Sequence, residues 1–202
     1  MFDSRQLPRW ILTALFILTF LVLLTSFAAA QKTEDEEIAA INDMIARNGY
    51  QWTAGKTSVS GLSAEEKKAL RGLLPLPEGW GNDLPVITAP QGALYPAALD
   101  WRQMAGVSSV KNQLSCGSCW GFAAVGQLES HVLIYDHREE DLSEQQTIDC
   151  NTWGADCSGG WVPAAYDLFI APGSVAESCY PYEARKAACR QGPCTVVARI
   201  ET

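Results

Sequence analysis

The hydrophobic and polar positions change their period several times along the chain. An uncharged run from Trp10 to Ala30 comes first, behind Arg5 and Arg9, and ends on Ala28-Ala29-Ala30. From Thr33 the pattern turns amphipathic. Thr33-x-x-Glu36 forms a capping box, the first turn is acidic, Ile38, Ile41 and Ile45 recur at helical spacing, and Asn48-Gly49 stops the run. Ser63-x-x-Glu66 predicts a second short helix that ends by Gly72, with the short polar stretch Trp52 to Ser60 between the two. Pro75, Pro77, Pro85, Pro90 and Pro96 then exclude regular helix and central strand, so residues 73–97 read as a linker. Beyond it, Cys119 to Ile134 has the length and apolar content of a buried helix, with Trp120, Phe122, Val125, Leu128, Val132 and Leu133 distributed around it. Ser143-x-x-Gln146 predicts a further helix start. Trp161 to Ile170 predicts another helix between turns at Gly159-Gly160 and Pro172-Gly173, and Thr195 to Ile200 alternates and branches like a strand.

The first run reads as an export leader over residues 1–30, with a basic start, an apolar middle and a small-residue cleavage site. The alternative is a retained membrane anchor over residues 10–30, because 21 uncharged residues can span a bilayer. The chain is thus expected to be secreted or extracytoplasmic, and to meet a membrane only if that segment stays uncleaved. A length of 202 residues with 48% hydrophobic side chains fits a globular protein of one or two domains. The net charge of -8 argues against nucleic acid as a partner, since that binding needs basic surface.

Export changes the meaning of the seven cysteines, 116, 119, 150, 157, 179, 189 and 194. In an oxidising compartment they form a disulfide framework, and the odd count leaves one thiol over. All seven follow the linker, so a separate stapled domain is expected from about Leu94 onward. The most informative stretch is Gln113-Leu114-Ser115-Cys116-Gly117-Ser118-Cys119-Trp120, a turn of small residues running straight into the apolar helix. It puts a thiol at a helix N-terminus, where unpaired N–H groups and the dipole favour the nucleophilic thiolate form. Gln113 carries a neutral amide donor that the turn can fold back beside the sulfur. With the Cys119 backbone N–H it would make an oxyanion hole.

Cys-Gly-Ser-Cys-Trp at 116–120 resembles the signature around the nucleophile of papain and cathepsin-type peptidases. Leu99-Asp100-Trp101-Arg102, Val110-Lys111-Asn112-Gln113, Leu142-Ser143-Glu144-Gln145, Asp149-Cys150, Cys157-Ser158-Gly159-Gly160 and Tyr180-Pro181-Tyr182-Glu183 are similar to the same family's successive landmarks. The likeness runs from about Ala98 to the end. It implies an α+β papain-like fold, mostly the helical left domain with the start of the β-rich right domain. It further implies Cys119 as nucleophile, Gln113 as oxyanion donor, pairing of Cys116 with Cys157 and of Cys150 with Cys189, and a plausible extra pair of Cys179 with Cys194. Gly159 and Gly160 match the strip that pairs with an extended peptide, where lack of a side chain permits close approach. Trp161 would border the adjoining side-chain pocket, or else be a buried aromatic that starts a helix. Upstream, Trp52-Thr53-Ala54-Gly55 followed by Leu70-Arg71-Gly72 resembles the short propeptide of cathepsin B-type enzymes, which lies through the cleft and keeps the enzyme latent. Residues 31–93 are then the propeptide-like segment and 94–202 the N-terminal portion of the peptidase domain. The alternative for 31–93 is a solvated linker with two amphipathic helices.

The implied activity is endopeptidase action on a peptide or protein substrate, with the chain's own propeptide as inhibitor and no metal or cofactor. The short interval from Cys157 to Tyr180 argues against an occluding loop of the cathepsin B kind. The family sets its catalytic histidine and asparagine about 130 to 150 residues after the nucleophile. Here 83 residues follow Cys119, and the two histidines are His131 and His137. At 1.5 Å per residue His131 would lie about 18 Å along the helix from Cys119, too far to act as its base. The expectation is a peptidase truncated before its general base, inactive as an isolated chain, with Thr195 to Thr202 as a strand that no following strand pairs. A non-catalytic relative that inhibits a peptidase or holds peptides is the main alternative. A redox Cys116-x-x-Cys119 pair and a zinc site are further rivals. The first lacks a preceding strand, and the second lacks a second short-spaced ligand pair.

Overall fold

The structure, a computed structural model, describes residues 33–86, 88, 92, 96–190 and 192–201. The expected leader or anchor lies outside the described residues. Contacts divide the chain between Gly61 and Leu62. In the first unit, α1 spans Glu34–Arg47. Both halves of its capping box form: Thr33 Oγ1 accepts from the Glu36 N–H at 3.3 Å and Glu36 Oε2 accepts from the Thr33 N–H at 2.9 Å. Ile45 is buried and Ile38 and Ile41 half-buried, as the helical spacing predicts. Gly49, at φ +67°, ends the helix in a conformation that glycine adopts without strain. The following turn is closed by Asn42, whose amide donates to the Ala54 carbonyl at 3.0 Å and accepts from the Ala54 N–H at 2.8 Å.

The second unit opens with α2, Ala64–Ala69, capped reciprocally by Ser63 and Glu66. Its core is built from three helices: α3 over Cys119–His131, α4 over Glu144–Cys150 and α5 over Val162–Ile170. Each packs against the other two. Trp120, Ala124, Leu128 and Val132 repeat every four residues along α3, so they form one stripe that faces Ile148, Ala164, Ala165, Leu168 and Phe169. The expected single helix to Ile134 instead ends as α at His131 and continues as a π-helical turn over Val132–Asp136, stopped by His137 at φ +53°.

The Ser143 cap forms, with its hydroxyl accepting from the Gln146 N–H at 3.0 Å, but Gln146 does not return the bond. Its amide donates to the Gly173 carbonyl at 2.9 Å and accepts from the Val175 N–H at 3.0 Å. The buried strand β1, Ser174–Val175, is thereby fixed to α4. The strand expected near Thr195 is β2, Val196–Ala198, and it pairs antiparallel with β1. This corrects the expectation of an unpaired strand: the partner precedes it in sequence, and Ala198 packs into the helical core.

Three disulfides close the framework, Cys116–Cys157, Cys150–Cys189 and Cys179–Cys194, and Cys119 is the free thiol. Across the core, Lys111 bonds Glu129 at 2.7 Å, Asp141 at 2.7 Å and Glu144 at 3.1 Å. Ser108 and the Leu142 N–H complete the Glu129 carboxylate. The cluster ties the segment that leads to Gln113 onto α3, two residues before the Gln113 amide.

Candidate active site

Cys119 is the first residue of α3 and is half-buried. Two covalent and packing constraints hold it there. The Cys116–Cys157 bond fastens the preceding turn to the loop that carries Gly159 and Gly160. Trp120, 1% exposed, anchors the first helical turn in the core and donates from Nε1 to the Asp156 carbonyl at 3.2 Å. A Cβ on Gly160 would meet Trp120 ring carbon at 2.6 Å and Ala155 Cβ at 2.5 Å, so the strip lies directly against the anchor. Gln113 folds back as expected: Nε2 donates to the Cys116 carbonyl at 2.7 Å.

The same amide also donates to the Leu70 carbonyl at 2.9 Å. This reveals an occupant that the periodicity did not predict. Residues 70–75, here called the strap, cross the site: Leu70 caps α2 in a helical conformation, the Gly72 N–H closes a turn onto the Leu70 carbonyl at 3.1 Å, and the chain bridges to Gly160 at Leu73. The Gly72 N–H donates to Cys119 Sγ at 3.2 Å, and the Gly72 carbonyl accepts from the Gly160 N–H at 2.8 Å. The Leu74 N–H donates to the Gly160 carbonyl at 3.0 Å, which makes Leu73 and Gly160 a parallel bridge. Trp161 Nε1 donates to the Pro75 carbonyl at 2.7 Å while Trp161 serves as the N-cap position of α5. Thus Leu73 to Pro75 are strand-like rather than linker, because the Gly159-Gly160 backbone offers them a ladder.

The strap tolerates no side chain at its closest point. A Cβ on Gly72 would lie 1.6 Å from the Gly117 carbonyl oxygen, well inside any allowed contact. Of its other side chains Leu73 is 64% exposed, whereas Leu74 lies over Gly159, where an added Cβ would meet it at 3.0 Å. His131 and His137 are both exposed, and His131 stacks on Tyr135 at 4.4 Å, at the opposite end of α3 from the sulfur. Cys116 and Cys119 are not bonded to each other, which removes the structural ground of a C-x-x-C redox pair.

The surrounding charges lean acidic. Burial pushes the Glu144 carboxyl up to about 7, against the pull of Lys111, because Glu129 also shares that lysine. Lys111 itself is held above its ordinary value, since its bonds to Asp141 and Glu129 outweigh the cost of its own burial. The two shifts differ in cause: burial raises Glu144, whereas the surrounding carboxylates raise Lys111.

Comparison with known families matches residues 95–202, just over half of the chain, to the papain family cysteine protease. The chain belongs to the papain family of cysteine proteases. The viral cathepsin of Epiphyas postvittana nucleopolyhedrovirus is 37% identical over 165 residues, covering 80% of this chain and 51% of that protein. Among solved structures, digestive procathepsin L2 from Tenebrio molitor larval midgut superposes with a TM-score of 0.69 at 29% identity, over 91% of this chain and 65% of the other. Procathepsin L 3 from the same source gives 0.63 at 31% identity, over 78% and 50%. The chain spans about half the length of the curated relatives it matches. The papain-like α+β fold is therefore established, and the precursor structures are similar over residues upstream of the family match as well as within it.

Of the residues singled out in the sequence, Cys119, Gln113, Gly160 and Trp161 each bond residues 70–75, and the Cys116–Cys157 bond closes the same turn, whereas Cys150–Cys189 and Cys179–Cys194 staple other parts of the chain. The propeptide resemblance of Leu70-Arg71-Gly72 implied a segment lying through the cleft, but not the individual bonds that Gly72 and Leu70 make there. Gly72 read as a helix stop, and a contact across 47 residues leaves no local trace.

Proposed function

We propose that this chain is the nucleophile-bearing half of a papain-like cysteine endopeptidase, held latent by its own residues 70–75. One observation carries the reading: the amide of Gln113 and the sulfur of Cys119 both bond one short backbone segment, Leu70 and Gly72, at 2.9 Å and 3.2 Å. An oxyanion donor and a thiol that converge on one peptide backbone are what acyl transfer to sulfur requires.

With the strap gone, an extended peptide would take its hydrogen bonds at Gly160, and Trp161 would border the adjacent side-chain position. The Cys119 thiolate would attack the scissile carbonyl carbon. Gln113 Nε2 and the Cys119 N–H would then hold the oxygen as the tetrahedral charge develops. A general acid must protonate the leaving amine, and the same group, then acting as base, must take a proton from the water that hydrolyses the thioester. Neither His131 nor His137 reaches the sulfur, so this chain alone is expected to bind and be alkylated without turning over peptide. The strap resists its own attack because it presents an N–H to the sulfur. Residues 31–93 act in this reading as the propeptide, and the three disulfides favour a secreted or extracytoplasmic site after a leader over residues 1–30 is removed. A membrane-anchored form would follow if residues 10–30 were retained.

The second reading is a non-catalytic relative that inhibits a peptidase or holds extended peptides. The backbone ladder between the strap and Gly160 favours it for the chain by itself. Incubating the purified chain with a fluorogenic peptide and an active papain-like enzyme separates the two. Covalent labelling of Cys119 with no turnover and no inhibition supports the latent peptidase half. Tight inhibition supports the binding module, and efficient hydrolysis by the chain alone contradicts both.

A further inference from the structure

The Tyr180-Pro181-Tyr182-Glu183 stretch contributes no atom to the proposed chemistry, yet Tyr182 reaches the Cys119 turn. Its hydroxyl donates to the Gln113 main-chain carbonyl at 2.8 Å. It also lies 2.8 Å from Ser118 Oγ. With its one proton given to Gln113, the phenol oxygen is left to accept from Ser118. Ser118 is the N-cap residue of α3, and its side chain makes no capping bond to the helix. The Ser118 hydroxyl takes Tyr182 as its nearer partner, with the Cys116 carbonyl a longer acceptor at 3.5 Å, and the chain of bonds runs from Ser118 through Tyr182 to Gln113.

Those two residues carry the two halves of the proposed oxyanion hole. Gln113 bears the side-chain amide, and Ser118 immediately precedes the Cys119 N–H. The phenol spans the five-residue interval between them. The ring is itself fixed: it meets Phe122 edge-on at 5.0 Å, and the Tyr182 N–H donates to Glu177 Oε1 at 2.6 Å. Burial holds the phenol pKa above its ordinary value, so the group remains a neutral donor. Apart from Tyr182, the Gln113 carbonyl accepts a longer bond from the Cys116 N–H at 3.3 Å.

We infer that Tyr182 is a positioning residue for the oxyanion donors, setting the separation of Gln113 from the Cys119 N–H through its hydroxyl. The inference rests on the proposed thiol chemistry of this site. Its chemistry is a bridge that outlasts the strap, because none of its atoms belongs to residues 70–75.

The test uses the full chain in four forms: wild type, Tyr182→Phe, Gln113→Ala and the double variant. Cys119 carbamidomethylation by iodoacetamide is followed by mass, and the Gln113 side-chain amide by its ¹H–¹⁵N cross-peak, assigned by its loss in Gln113→Ala. Loss of the hydroxyl should misplace the amide that grips Leu70, raising the labelling rate about fivefold, the size expected for one or two neutral hydrogen bonds. It should shift the Gln113 cross-peak, and its effect should fall below about twofold once Gln113 is alanine, as for groups acting in series. Equal rate increases in both backgrounds, or an unmoved cross-peak, would overturn the inference, since a merely structural tyrosine gives additive effects. Ser118→Ala removes the other end of the bridge without touching the ring, and must show the same coupling if Tyr182→Phe does not fold. Additivity there overturns the inference equally. Labelling at a cysteine other than Cys119 would instead contradict the proposed nucleophile, an outcome that the mass map distinguishes.

Discussion

The helical body that presents Cys119 and the strap that covers it are held by different kinds of interaction. The body is fastened by three disulfides, a continuous apolar core and a buried lysine–carboxylate cluster. The strap is fastened chiefly by hydrogen bonds to its backbone, with Leu73 and Leu74 left exposed. Net hydrogen bonds contribute about 1 kcal/mol each, whereas core burial and cross-links contribute several. The body is therefore permanent on any scale on which the strap is removable. A latent site needs that asymmetry: a cover strong enough to hold and weak enough to leave.

The largest expected effect breaks the body. Replacing Cys116 and Cys157 together by serine opens a loop with a sequence separation of 41 residues. It should lower unfolding stability by about 4 kcal/mol in urea titration, on the chain-entropy model. Next comes the strap. Gly72→Val drives a side chain into the Gly117 carbonyl and should free residues 70–75, raising the rate of tryptic cleavage after Arg71 roughly a hundredfold, equivalent to about 2.7 kcal/mol. The body's urea midpoint should stay nearly unchanged, and a common fall of both would erase the distinction between the regions.

The buried cluster belongs to the body and gives it a pH dependence that the strap lacks. Glu144 has a folded pKa of about 7, above its ordinary 4.5, so the folded state binds the extra proton between those values. Stability must then rise as pH falls from above 7 toward 4.5, by about 2 kcal/mol between pH 8.5 and pH 5.5. Glu177, also raised by burial, acts in the same direction. Urea unfolding at pH 8.5 and pH 5.5 measures the effect, and Glu144→Gln should flatten most of it. The smallest effect returns to the strap. Trp161→Phe keeps an aromatic ring but removes the bond to the Pro75 carbonyl, and should speed cleavage after Arg71 about fivefold, near 1 kcal/mol.

The two regions also differ in how far the sequence disclosed them. In the body, Trp120, Ala124, Leu128 and Val132 sit at four-residue spacing, and the capping serine precedes α4, so local periodicity and caps predict the helices. The Cys-Gly-Ser-Cys-Trp turn and its resemblance identified the thiol, its amide partner and the disulfide pairing. What escaped depended on partners distant in sequence. Gln146 resembles the return half of a capping box, but β1 offers its amide two buried backbone groups, and those bonds win. Thr195 to Ile200 read as a strand without a partner because the two residues of β1 are too few to register as a strand by alternation. Leu73 and Leu74 read as linker because proline follows them, while the Gly160 backbone that orders them lies far downstream.

The central claim is that Cys119 is a reactive thiol under a removable cover. The direct measurement is the rate of iodoacetamide capture of Cys119 in the native chain, compared with the same chain carrying Gly72→Val, with peptide mapping of the labelled cysteine. Labelling confined to Cys119 and roughly a hundredfold faster in the variant is the predicted result, matching the release of the strap. Equal rates in the two proteins, or label on one of the six paired cysteines, would contradict it.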